Sequence, residues 1–201
     1  GFLIVVLFAM LTVAAWGYAN RPTSEPALPR VIHGFAFQPY QKDQDAIAGE
    51  DPTTAQIDAD LKLLAGTTRA VRTYSSIGTL GEIPALARKH GLKVMLGSWI
   101  DSDRERNDRE VEATIRLANT NRNVTRILVG NEVVLRGDLP VEDLIAHLDR
   151  VRAATKQPVS TAEPWHVWIK NPELVAHVDF IAVHMLPYWE GVSAEASIGY
   201  I

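Results

Sequence analysis

The sequence predicts an α/β fold of parallel strands joined by helical crossovers: a (β/α)8 TIM barrel of which about six βα units are present, preceded by an N-terminal membrane helix. Three observations predict the barrel. Short apolar runs rich in β-branched residues alternate six times with segments of helical period, which is the pattern of a parallel sheet. The runs are continuously apolar, as strands buried on both faces are. Polar or aromatic residues collect where the runs end: Gln38 and Tyr40, Tyr74, Trp99, Asn131 and Glu132, Glu163 and Trp165, His184, Tyr188 and Trp189. A barrel builds its active face from such strand ends. An open doubly wound sheet also fits the alternation, but "HGFAFQPYQ" in the first run lacks the G-x-G-x-x-G of a dinucleotide fold.

The elements follow in order. "GFLIVVLFAMLTVAAWGYAN" carries no charge over about the length that spans a hydrocarbon core. Residues 1–19 are expected to be a transmembrane signal anchor with Trp16 and Tyr18 at the interface, or a signal peptide cut after Gly17-Tyr18-Ala19. A buried core helix is the bland alternative. Either membrane reading puts the remainder outside the cytoplasm, in the periplasm against a bacterial inner membrane or secreted. Residues 20–30, "NRPTSEPALPR", hold three prolines and read as a linker. Residues 31–201 are the barrel segment.

Strands are expected in 31–37, 69–74, 92–100, 125–132, 158–165 and 179–189. Between them, Ile57, Leu61 and Leu64 share a helical face that stops at Gly66, and Ile83 and Leu86 precede a stop at Gly91. Val111, Ile115 and Leu117 mark a third helix. Val141, Leu144, Ile145, Leu148 and Val151 mark a fourth that opens on Pro140, and "NPELVAHV" a short fifth. The charge run "DSDRERNDRE" (101–110) reads as a solvated loop and helix start. A closed barrel needs eight strands, so the chain is expected to be part of a longer domain.

Composition narrows the function. With 47% hydrophobic and 22% charged residues the chain is globular. A net charge of −4 argues against a nucleic-acid partner. No cysteine is present, which excludes disulfides, thiolate metal sites and a cysteine nucleophile. His33 and His184 lack the paired spacing of metal ligands, and neither a metal nor a cofactor is expected. His33 reads as a structural histidine, while His184 reads equally as a sugar contact or a core hydrogen bond.

In "RILVGNEVVLRG" (126–137) a buried run ends on an amide and a carboxylic acid. A carboxyl there is costly unless partners satisfy it or it holds its proton, and holding a proton near neutral pH is what a general acid does. Asn131 can donate to and accept from a sugar hydroxyl. Aromatic residues at the other strand ends offer flat faces to a pyranose ring. Together these suggest glycoside chemistry. The alternative is that Asn131-Glu132 caps a strand and pairs with Arg136 or Arg72. Arg72 itself reads as the holder of a barrel carboxylate or as a surface ion-pair member. Trp99 reads as core or subsite, and Trp165 and Trp168 as candidates for the cleft.

The segments "GFAFQPY", "VRTY", "VMLGSWID", "VGNEV", "TAEPWHVW" and "FIAVHMLPYWEG" resemble glycoside hydrolase family 17, in its bacterial and fungal branch of β-1,3-glucanases and β-glucan transglycosylases. The likeness covers most of 31–191 in order. It implies a (β/α)8 barrel acting on β-1,3-type glucan with retention. It makes Glu132 the acid/base and Asn131 the partner of the nucleophile and of the sugar 2-hydroxyl. Tyr74 matches a tyrosine of the cleavage subsite, and Tyr188 and Trp189 match aromatic subsite positions. His184-Met185-Leu186-Pro187 departs from the plant members of the family. The nucleophile expected after a seventh strand would lie beyond Ile201, so the chain alone is expected to be inactive. Glu163 and Glu190 are the other strand-end glutamates, and neither is on the nucleophile's strand. In this branch the barrel often accompanies a glycosyltransferase domain in membrane proteins. The competing class is a non-catalytic glucan-binding or membrane-anchored scaffold module.

Overall fold

The computed structural model describes residues 1–21, 31–46 and 48–201. Each of the six apolar runs carries a strand. In chain order the elements are α1 (Phe2–Ala19), β1 (Phe35–Ala36), α2 (Thr54–Leu64), β2 (Ala70–Arg72), α3 (Ile83–Lys89), β3 (Lys93–Ser98), α4 (Arg104–Thr120), β4 (Val124–Asn131), α5 (Val133–Arg136), α6 (Val141–Ala154), β5 (Val159–Pro164), α7 (Trp165–Lys170), β6 (Ala182–His184) and α8 (Ala194–Tyr200). Short 3-10 turns cover Gly78–Glu82, Pro172–His177 and Pro187–Glu190. The chain divides into two units, Arg30–Leu186 and Gly1–Pro29 with Pro187–Ile201. The expected linker lies outside the described residues except for Asn20 and Arg21.

The sheet runs β1-β2-β3-β4-β5-β6, and every pairing is parallel. A doubly wound sheet reverses its strand order at a switch point. This one never does, so the open alternative is excluded. The sheet is also curled. Arg72 on β2 and His184 on β6 stand four strand spacings apart, about 19 Å in a flat sheet, which is further than the two side chains reach. Their side chains nevertheless meet at 3.1 Å. The six strands form a half-barrel.

Local signals place the helices. Thr53 and Gln56 form a capping box at the start of α2, with Gln56 N donating to Thr53 Oγ1 at 3.3 Å and Thr53 N donating to Gln56 Oε1 at 2.8 Å. Asp103 caps α4 by accepting from Arg106 N at 3.0 Å. α3, α4 and α6 pack against β3, β4 and β5. Ile57, Leu61, Val94, Leu96, Ile127, Leu144, Leu148 and Val159 are fully buried in that core, each worth about 1.5–3 kcal/mol of burial. Gly97 lets β3 approach β2: a Cβ there would stand 2.1 Å from the Thr73 carbonyl oxygen.

Several expectations change. The run 101–110 starts a helix at Arg104 as expected, but it is not solvated throughout: Asn107 and Glu110 within it are buried. They fall at helical spacing with Val111, Thr114 and Ala118, all buried, so this charged stretch lays a polar stripe onto the sheet. His33 is exposed, which removes it as a core histidine. Trp168 is buried, its Nε1 donating to Ala182 O at 3.1 Å, so it belongs to the core and not the cleft. α5 and α7, only 4 and 6 residues long, follow β4 and β5 where no helix is expected.

Candidate active site

The site is assembled at the C-terminal ends of alternate strands. Arg72, Asn131 and His184 are the last residues of β2, β4 and β6, and alternate strands of a barrel contribute to one layer of its interior. Arg72 Nη2 donates to Asn131 Oδ1 at 2.6 Å, and Arg72 Nη1 meets His184 Nε2 at 3.1 Å. The guanidinium also lies over the Tyr74 ring, 4.6 Å from its centroid. Burial lowers the pKa of Arg72, while Tyr74 and Glu132 act to raise it.

His184 Nδ1 lies 2.6 Å from Glu132 Oε1. A guanidinium can only donate, so His184 Nε2 must accept from Arg72, and the ring proton sits on Nδ1, facing the carboxylate. The tautomer is fixed by the arginine. Arg72 thereby orients the ring that holds Glu132 and turns the Asn131 amide so that its Nδ2 remains to donate. The alternative pairing of Glu132 with Arg72 or Arg136 is not what forms: Arg72 holds the Asn131 side chain, and Arg136 donates to the Asn131 carbonyl oxygen, to Ile100 O at 2.8 Å and to Asp138 at 2.6 Å.

The backbone at this corner is unusual. β4 shifts register between Leu128 and Asn131, Gly130 has φ +86°, and Glu132 has φ 56° and ψ 33°. A non-glycine residue in the left-handed region costs about 1–2 kcal/mol and marks sites where function dictates conformation. A Cβ on Gly130 would stand 2.5 Å from Val133 Cγ2. The Glu132 N–H donates to Ala162 O at 2.8 Å, so the turn is tied to β5.

Beneath it lies Glu163, fully buried. Its Oε1 accepts from Val134 N at 2.9 Å and its Oε2 from Leu135 N at 3.4 Å. Burial raises its pKa first of all, the Val134 and Leu135 N–H groups oppose this, nearby Glu132 adds to the rise and Arg136 lowers it. A second buried carboxyl, Glu110, accepts from Ser76 N at 2.8 Å and from the Ser75 hydroxyl. Burial raises its pKa against those bonds, a further one from the Trp99 backbone and the charge of Arg106. It ties the segment after Tyr74 to the end of β3. The Arg136 guanidinium covers the Trp99 ring at 4.6 Å.

Asn131, Tyr74 and His184 are thus gathered around Arg72, and Glu132 joins them through His184. Trp165 follows β5, is 37% exposed and stands edge-on to His166. Tyr188 and Trp189 fall in the other unit, where both are exposed and their rings stand edge to face at 5.5 Å. Sequence reasoning left Arg72 between two roles and missed the part played by Glu163. Their partners lie 59, 112 and about 29 residues away, distances at which no local pattern operates.

The family model of the BtgE/BtgC glycoside hydrolase domain matches residues 34–201. The chain belongs to that family. Among relatives of this glycoside hydrolase domain, the probable glucan endo-1,3-beta-glucosidase btgC of Aspergillus flavus is 25% identical over 92% of the chain and 30% of its own length. The glucan 1,3-beta-glucosidase of Schizosaccharomyces pombe is 33% identical over 66% of the chain and 46% of its own. The chain therefore spans less than half the length of these relatives. A structure of an active-site mutant of the Rhizomucor miehei beta-1,3-glucanosyltransferase in complex with laminaritriose superimposes with a TM-score of 0.70 at 26% identity, over 84% of this chain and 62% of that one. The same organism's glycoside hydrolase family 17 beta-1,3-glucanosyltransferase gives 0.69 at 26% identity. The likeness to family 17 read from the sequence and the glycosidase assignment both stand on these matches.

Proposed function

We propose that this glycoside hydrolase domain is part of a retaining β-1,3-glucan hydrolase or transglycosylase in which Glu132 is the acid/base. The observation that carries the reading is the seating of Glu132: Oε1 is held by His184 Nδ1–H, which leaves Oε2 to carry and deliver the catalytic proton. In the first step the Glu132 proton passes to the glycosidic oxygen as the C1–O bond breaks. A second carboxylate, supplied by a part of the protein after β6 that completes the barrel, bonds to C1. In the second step Glu132 removes a proton from water, giving hydrolysis, or from a sugar hydroxyl, giving transfer, as C1 leaves the second carboxylate. The Asn131 Nδ2 group donates to the sugar 2-hydroxyl, with Tyr74 and Trp165 as ring platforms. His184, with both nitrogens engaged by protein, orients Glu132 rather than the sugar. The glucan-acting relatives named above support the substrate class.

The deciding experiment incubates the full-length protein and Glu132→Gln with laminari-oligosaccharides. The substitution should cost about 10²–10⁴ in turnover. Equal product formation by both proteins would remove Glu132 from this role, and retained binding without turnover in either would favour a scaffold module.

α1 carries no buried residue and is apolar enough to cross a membrane. At 18 residues it is about 27 Å long, close to a hydrocarbon core. The proposed placement is outside the cytoplasm, with α1 as anchor or signal sequence.

A further inference from the structure

Glu132 occupies the N-cap position of α5, yet its side chain makes no capping bond. At that position a side-chain oxygen normally accepts the N–H of the second or third helical residue, here Val134 or Leu135. A carboxylate used that way would fold back onto its own turn and leave the cleft. The two N–H groups are instead taken by Glu163, at 2.9 and 3.4 Å, from the neighbouring strand. The Glu132 carboxyl is left to point at His184.

We infer that Glu163 is a positioning residue that caps the α5 turn in place of Glu132, and so frees the acid/base for the substrate. The role rests on the reading of Glu132 given above. Three features of the structure support it. Glu163 is fully buried, so it reaches neither substrate nor solvent. Both of its oxygens are spent on this one turn. The turn it holds contains Glu132 in a left-handed conformation with φ 56°, which the backbone does not favour unaided. Without Glu163, the Glu132 carboxyl stands at the N-cap position, from which a side-chain oxygen ordinarily accepts these N–H groups.

The test compares kcat/KM of the full-length protein, Glu163→Ala and Glu163→Gln on two substrates. One is a laminari-oligosaccharide, whose sugar leaving group needs a proton. The other is a dinitrophenyl β-laminaribioside, whose phenolate leaves without one. Glu163→Ala should lose about 100-fold on the oligosaccharide and less than about 3-fold on the aryl substrate, where acid catalysis contributes little. Glu163→Gln, which keeps one acceptor for Val134 N–H, should lose about 10-fold on the oligosaccharide alone. It carries the test if the alanine variant does not fold. A loss of the same size on both substrates would reflect damage to the fold and overturn the role, as would no loss on either. Glu132→Gln on the same pair separates the two claims. A leaving-group-dependent loss there, with a uniform or absent loss at Glu163, overturns the positioning role alone. A uniform loss at Glu132 overturns the acid role beneath it.

Discussion

His184 Nδ1 stands 2.6 Å from Glu132 Oε1 while its Nε2 stands 3.1 Å from Arg72 Nη1. One ring thus links a cation to the candidate acid, and the cation dictates which nitrogen carries the proton. The arrangement does for a carboxylic acid what a carboxylate does for the histidine of a nucleophilic triad: it fixes orientation and proton position through an intermediary.

Arg72→Met should therefore act at a distance. With Nε2 released, His184 can hold its proton there and present a bare Nδ1 to Glu132, whose Oε1 then loses the N–H that orients it. A fall in kcat/KM on laminari-oligosaccharides of about 100-fold is expected, with ¹⁵N chemical shifts reporting a change from the Nδ1–H to the Nε2–H form. A wild-type spectrum already showing Nε2–H would refute the relay.

Glu132→Gly separates the needs of the fold from those of the reaction. Relief of the left-handed conformation is worth about 1–2 kcal/mol, offset by about 0.5–1 kcal/mol of added chain entropy. The variant should lose catalysis yet unfold in urea at a higher midpoint than Glu132→Ala, which loses the same contact with His184 but keeps a Cβ. A midpoint no higher than that of the alanine variant would show that the conformation at Glu132 is not strained.

Glu110 gives the fold a pH dependence of definite sign. Its pKa is raised by burial, so its contribution to stability is complete below the unfolded value of about 4.3 and is lost as pH rises through the folded value. Glu110→Gln removes that dependence. Across a urea series from pH 4 upward, the variant should gain on wild type with increasing pH. A constant difference would mean that Glu110 titrates alike folded and unfolded.

α1 should hold the full-length protein in the membrane fraction through an alkaline carbonate wash if it is an anchor, and deletion of residues 1–19 should release it. Recovery of a soluble product beginning after Ala19 would instead identify a signal sequence.

The sheet was legible in the sequence because buried parallel strands must be apolar throughout, and Gly66 and Gly91 stop helices wherever they lie in the fold. The candidate site was legible only where chemistry and strand end coincide, at Asn131-Glu132 and Tyr74. His184 was visible as a residue but not as a link, because its two partners sit on strands that adjoin it only after the sheet curls. α5 and α7 were hidden since neither is long enough to show a period. Glu110 was obscured by its neighbours: eight of the ten residues in 101–110 are charged, and that density conceals a buried stripe whose spacing with Val111 and Thr114 was the available clue.

Because the strands that carry Arg72, Asn131 and His184 are never immediate neighbours, no hairpin or single βα repeat can preassemble any pair of them. A chain that has formed all its strands and helices but has not yet rolled up already has its native ellipticity, while Glu132 has not yet met His184. During refolding from urea, circular dichroism and glucan turnover should accordingly recover on separate timescales, with turnover reporting the last long-range closure.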